Sequence, residues 1–228
     1  MRFRSVGSGA VAPSIEPLEP RVLLAASPQP VPLEQAFAAG LPGESQGWEY
    51  YRSSTTYGRI AVSSGQLRMD VTTDGPYSLN EAVVHVDLAE ASNAVLSYAN
   101  GNVGDEKDPL PGQFTGHTDG DGVAISADGT TWYTVVNAAD LAVGTTMVSD
   151  TVDLDAAVQS IRATYDATFD YTADFRIKFQ QYDNWTWGTD GRAWDNVSVT
   201  AETAAGGDYS HSLTQTNNCY YSNVLTFS

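Results

Sequence analysis

From Trp48 onward, apolar and polar residues change places every second position in short runs. Leu67, Met69 and Val71 alternate with Gln66, Arg68 and Asp70. Val84, Val86 and Leu88 alternate with Val83, His85 and Asp87, and Phe175, Ile177 and Phe179 with Arg176, Lys178 and Gln180. Successive side chains of a strand point to opposite faces, so each run has one core face and one wet face. Antiparallel sheets with one solvated face read this way, and parallel strands buried on both faces do not. Turn residues separate the runs. Ser63-Ser64-Gly65 divides two short strands, and Asp128-Gly129 divides Val123–Ile125 from Trp132–Val135, a strong hairpin signal. The spacing predicts about nine or ten strands. It leaves one helical stretch, Asp155 to Arg162, on a crossover. Many short strands with Gly and Asp turns predict an all-β antiparallel β-sandwich of jelly-roll type.

The alternation fails at both ends. Residues 1–45 carry Pro13, Pro17, Pro20, Pro28, Pro30 and Pro32, which interrupt helices and strands alike, and Arg2, Arg4 and Arg21 make this end basic. It reads as a disordered export or sorting leader. Residues 46–201 form the sandwich domain. Residues 202–228 are a polar tail, unstructured or the truncated end of a longer protein. Inside the domain, Gly101 to Gly122 is a long loop rich in Gly, Asp and Pro, a type that tends to be functional or mobile.

Charge narrows the partners. There are 28 acidic and 11 basic residues, a formal net charge of -17. Such a surface repels phosphate backbones, so no nucleic-acid partner is expected; it suits solvation and hard divalent cations. The one cysteine, Cys219, excludes an intrachain disulfide. No apolar run approaches the roughly 18 residues of a membrane span.

The candidate chemistry lies between Asp174 and Thr200. Read with period two, Ala193, Asp195, Val197 and Val199 share a face, and the two valines belong to the core. Asp195 should then point inward at the sandwich mouth. A buried carboxylate needs a cation, an arginine or several backbone N–H donors. Calcium, with six to eight oxygens in irregular geometry, suits a strand-end Asp beside acidic loops. Asp190, Glu81, Asp105 and Glu106 are the candidate co-ligands. The alternative is that Asp195 accepts loop amides or pairs with Arg176 or Arg192. Tyr182, Trp185 and Trp187 cluster before Asp190 and could offer flat apolar surfaces to a sugar ring, or could close the sandwich end. His117-Thr118-Asp119-Gly120-Asp121-Gly122 lacks the Glu of an EF-hand loop and reads as a polar turn entering a strand.

Two resemblances are present. Ile15-Glu16-Pro17-Leu18-Glu19-Pro20-Arg21-Val22-Leu23-Leu24 resembles the LEPR-XLL signature that opens many large exported bacterial proteins. That resemblance implies export or surface sorting. Ser126-Ala127-Asp128-Gly129-Thr130-Thr131-Trp132, Phe175 to Gln181, and Asp190 to Val197 together resemble the jelly-roll subrepeats of reelin and related MAM and concanavalin-like sandwiches. In that group the residue matching Asp195 commonly helps hold a structural calcium ion. The hairpin is one residue shorter than a sialidase-type Asp-box. Asp128 is expected to accept amides of its own turn while Trp132 packs.

Catalytic motifs are absent: there is no Gly-x-Ser-x-Gly elbow, His-Glu-x-x-His helix or phosphate loop. The expectation is a non-catalytic, calcium-stabilised extracellular or cell-surface module for adhesion or ligand binding, its partner a glycan or a surface protein. A polysaccharide hydrolase or lyase on the same fold, or a structural spacer, are the alternatives.

Overall fold

The computed structural model of the chain describes residues 25–203. The LEPR-XLL-like segment and the tail from residue 204 on lie outside the described residues. Twelve strands and one α-helix follow in order: β1 (Leu33–Gln35), β2 (Trp48–Arg52), β3 (Gly58–Ser63), β4 (Gln66–Val71), β5 (Ser78–Val86), β6 (Ala91–Asn102), β7 (Gln113–Thr115), β8 (Gly122–Ser126), β9 (Thr131–Asn137), β10 (Val148–Asp153), α1 (Leu154–Thr164), β11 (Phe175–Asp183) and β12 (Arg192–Thr203). One sheet runs β10-β6-β12-β4-β3, with β1 also on β12; the other runs β2-β5-β11-β8-β9-β7. All these strand pairings are antiparallel. The all-β antiparallel sandwich expected from the alternation is therefore the architecture observed.

The alternating positions build the core. Leu67, Met69, Val84, Val86, Phe175, Ile177 and Phe179 are fully buried in one cluster between the sheets. Phe179 sits at its centre, with ring centroids 5.1 Å from Trp194, 5.8 Å from Tyr98 and 6.3 Å from Trp48. Helix α1 starts where the Asp153 carboxylate accepts the Ala156 amide at 2.9 Å, and it buries Leu154, Val158 and Ile161 on one stripe. In the β8–β9 hairpin, Asp128 accepts the Thr130 and Thr131 amides, each at 2.7 Å. That is the self-contained turn expected from the sequence.

Three features differ from the sequence reading. The folded part begins earlier than residue 46. Ala26 and Phe37 are buried, Leu33 pairs with Val199, and Phe37 meets the edge of Trp48 at 5.3 Å. Prolines bar a helix or a central strand here, but they allow an extended segment ending in a three-residue strand.

The second difference is that the β2-β5-β11-β8 sheet is covered on both faces. The Gly101–Gly122 loop folds back over it, and Leu110 and Phe114 pack on Val83, Ala124 and Trp132 as a second small core.

The third difference is in β12, which pairs with β4 through Arg192–Trp194 and with β1 through Val197–Val199. A bulge lies between these stretches, with Asn196 at φ 49°. An extra residue reverses the alternation, so Trp194 before the bulge and Val197 after it both reach the core. Asp195 consequently does not point inward. It is half-buried, and its Oδ1 accepts the Asn196 amide at 2.8 Å.

Candidate functional site

A cleft lies on the face of the second sheet turned away from the main core. In the register, Gln180 stands opposite Glu81 and Lys178 opposite Val83, so Lys178 is the diagonal neighbour of Glu81. Tyr51 of β2 flanks Glu81 on its other side. This places the Lys178 Nζ 2.9 Å from Glu81 Oε1, with both side chains buried. Nζ also donates to the Gly116 carbonyl at 2.9 Å and lies 4.0 Å from the centre of the Trp132 ring. Burial pushes the Lys178 ammonium down, against the pull of Glu81. The second oxygen of Glu81 meets His117 Nδ1 at 2.7 Å, and the half-exposed His117 ring stacks on Tyr51 at 3.6 Å and 11°.

The cleft measures about 350 Å³ and is lined by Glu49, Tyr51, Glu81, His117, Trp132 and Lys178 among others. Its floor is a charge-balanced, hydrogen-bonded pair, and its wall is a flat aromatic surface. Such a site can hold a neutral ligand that has both apolar faces and hydroxyl edges.

A second polar region fills one end of the sandwich. Carboxylate oxygens of Asp105, Asp183 and Asp190 lie within 4.8 Å of one another. Asp105 leaves β6 and is fixed by Asn102, whose side-chain oxygen accepts the Asp105 amide at 2.7 Å. Its oxygens accept Gln181 Nε2 at 3.1 Å and Arg192 Nη2 at 2.5 Å. Asp183 ends β11 on the same side as Phe179 and Gln181. Its Oδ1 accepts the Asn184 amide at 2.5 Å and the Trp185 amide at 2.8 Å. Among the described residues no donor reaches its buried Oδ2. Asp190 precedes β12 and accepts the Gly191 amide at 2.8 Å.

Burial, reinforced by the neighbouring carboxylates, pushes Asp183 up to about 6 and Asp190 up to about 7. Asp121, next to this group, is pushed up to about 8 for the same reasons. Its two oxygens accept the Tyr182 and Asp108 amides.

Of the metal residues expected from sequence, Asp105 and Asp190 come together here, and exposed Glu106 stands beside Asp190. Glu81 is not with them: it forms the cleft floor. Asp195 is on the bulge and is not part of the group. Asp183 joins the group without being among the expected ligands, although counting from Phe179 by twos through Gln181 reaches it. Tyr51, His117 and Lys178 were also missed, because their meeting depends on strand register and on where the long loop lands.

The expected aromatic cluster is split. Tyr182 stacks on Tyr77 at 5.1 Å, and the two line a pocket of about 250 Å³ with Glu106, Asp108, Asp183 and Asn184. Trp185 is 43% and Tyr77 57% exposed. Trp187 does not share this surface; its ring is covered by the Arg68 guanidinium at 4.2 Å.

No protein-family model matches the chain, and no curated protein does. Solved structures with a distant likeness include the family 11 carbohydrate-binding module of the cellulosomal cellulase Lic26A-Cel5E of Clostridium thermocellum. That module shows 10% identity and a TM-score of 0.39 over 70% of this chain and 91% of that one. The K3 cleaved adhesin domain of Lys-gingipain from Porphyromonas gingivalis shows 11% identity and a TM-score of 0.41 over 74% and 96%. The CBM22-1 xylan-binding domain of Xyn10C from Paenibacillus barcinonensis shows 11% and 0.35 over 76% and 95%. At these values no residue role is carried from them to this chain. No helix among the described residues is long and apolar enough to cross a membrane.

Proposed function

We propose that this chain is a non-catalytic β-sandwich module of an exported protein, binding a glycan in the Tyr51–His117 cleft and stabilised by a structural calcium ion. The LEPR-XLL-like leader belongs to the same reading as its export or sorting signal. The supporting observation is the stacked Tyr51–His117 wall set against the buried Glu81–Lys178 floor. A sugar ring has apolar C–H faces for the wall and hydroxyls for the floor and rim. The two carboxylates of the cleft, Glu49 and Glu81, do not suit hydrolysis. A glycosidase needs one carboxyl held protonated as general acid. Glu81 is committed to Lys178 and His117, and the His85 imidazole 3.3 Å away holds Glu49 below the usual carboxylate range.

A glycan microarray probed with the whole chain tests this. Retention on one polysaccharide class is expected, and Tyr51→Ala should weaken it by about tenfold, the worth of one good stacking contact. No retention on any glycan would leave the spacer reading. Polysaccharide cleavage lost in Glu81→Gln would establish an enzyme. A second reading places the ligand on the Tyr77–Tyr182 shelf and Trp185, because two of these aromatics face solvent. In that case Trp185→Ala, and not Tyr51→Ala, abolishes retention.

A further inference from the structure

We infer that Asp105, Asp183 and Asp190 hold one calcium ion at the end of the sandwich, in a site that does not use Asp195. This deepens the calcium part of the proposed function and is independent of the glycan part.

The three carboxylates converge within 4.8 Å from three different segments: the loop after β6, the end of β11 and the turn before β12. Convergence alone would not make a site. The independent observation is the Asp183 side chain. It is 1% exposed, and its Oδ2 meets no donor among the described residues, while Oδ1 is fully occupied by two amides. A buried carboxylate oxygen left without a donor is costly unless a cation meets it. The local charge points the same way. Among the described residues Arg192 is the one cation paired into the group, and it reaches Asp105 alone. With the three carboxylates deprotonated, as metal ligands are, one guanidinium leaves two negative charges, which a divalent ion balances.

All three donors are hard oxygens, and Asp183 presents Oδ2, the oxygen its amide donors leave over. Calcium tolerates that irregularity, with backbone carbonyls or water completing six to eight ligands. Access comes from the adjoining pocket of about 250 Å³, where Glu106 and Asp108 line the approach and Asp183 forms part of the wall. Bound calcium would tie β11 to β12 and both to the long loop.

The test uses the full chain stripped with EDTA, dialysed and titrated with calcium chloride by calorimetry, with melting temperature read in parallel. One calcium per chain is expected, with a dissociation constant under about 1 mM, as in extracellular modules, and a higher melting temperature when bound. Asp183→Asn should weaken binding by at least about tenfold while melting as cooperatively as the stripped wild-type chain, because removing one charge relieves repulsion. Asp195→Ala should bind calcium as the wild-type chain does. Calcium that leaves the wild-type chain silent in both readouts overturns the site and the calcium reading together. Undiminished binding by Asp183→Asn, or loss of binding in Asp195→Ala, overturns the site and leaves calcium elsewhere. A glycan array run with and without calcium reads the cleft separately.

Discussion

His85 shows how one residue can carry a pH response. It is buried on the second sheet, with Nδ1 2.6 Å from Asp174 Oδ1 and Nε2 3.3 Å from Glu49 Oε1. Burial alone would push the imidazole down. The two carboxylates outweigh it, so the folded value lies above the ordinary 6.5. Such a group binds protons more readily folded than unfolded, so its stabilisation is complete below the unfolded value and fades as pH rises through the folded one. The difference in urea stability between the wild-type chain and His85→Gln should therefore be largest near pH 6 and shrink towards pH 9. A difference constant with pH would mean that the ring stays neutral in the fold. Asp183 and Asp190 drift the same way in the stripped chain, since their folded values are also raised. Comparing two proteins that both contain them removes that drift.

The elements most legible in the sequence were those whose logic is local. Period two found the core faces of β4, β5 and β11, and Asp128-Gly129 found the β8–β9 hairpin with its Asp-centred turn. Asp155–Arg162 anticipated α1, because an apolar stripe and an Asp cap are short-range signals. The bulge in β12 had no such signal. It arises where the strand exchanges β4 for β1 as its neighbour, and β1 lies more than a hundred residues earlier in a proline-rich stretch. Strict alternation carried through Asn196 therefore predicts an inward Asp195, where the bulge turns it outward. The bulge itself is testable. Asn tolerates the left-handed conformation that a β-branched residue resists by about 1–2 kcal/mol. Asn196→Val should lose about that much in urea unfolding, while Asn196→Gly stays within a few tenths. Equal stability of the two variants would mean that the bulge relaxes freely.

At the scale of the whole molecule, β1 and β12 close the first sheet on each other. Leu33 to Gln35 pair with Val199 to Val197, and beside them β12 carries β4 and β6. Removing residues 1–36 would strip the cover from Val197 and Val199 and take away Leu33, leaving Phe37 without its anchoring segment. That shortened chain should melt well below the full one and aggregate through the bared strand edge, measurable by light scattering during a thermal ramp. An unchanged melting point would show that β1 is dispensable. The same closure governs when folding can finish. A polypeptide made from its first residue onward exposes β1, β4 and β6 long before the strand that joins them exists. Pairings this distant in sequence form late and slowly. The first half of the chain therefore emerges from the ribosome unable to complete its sheet, and its central gap stays open until β12 follows.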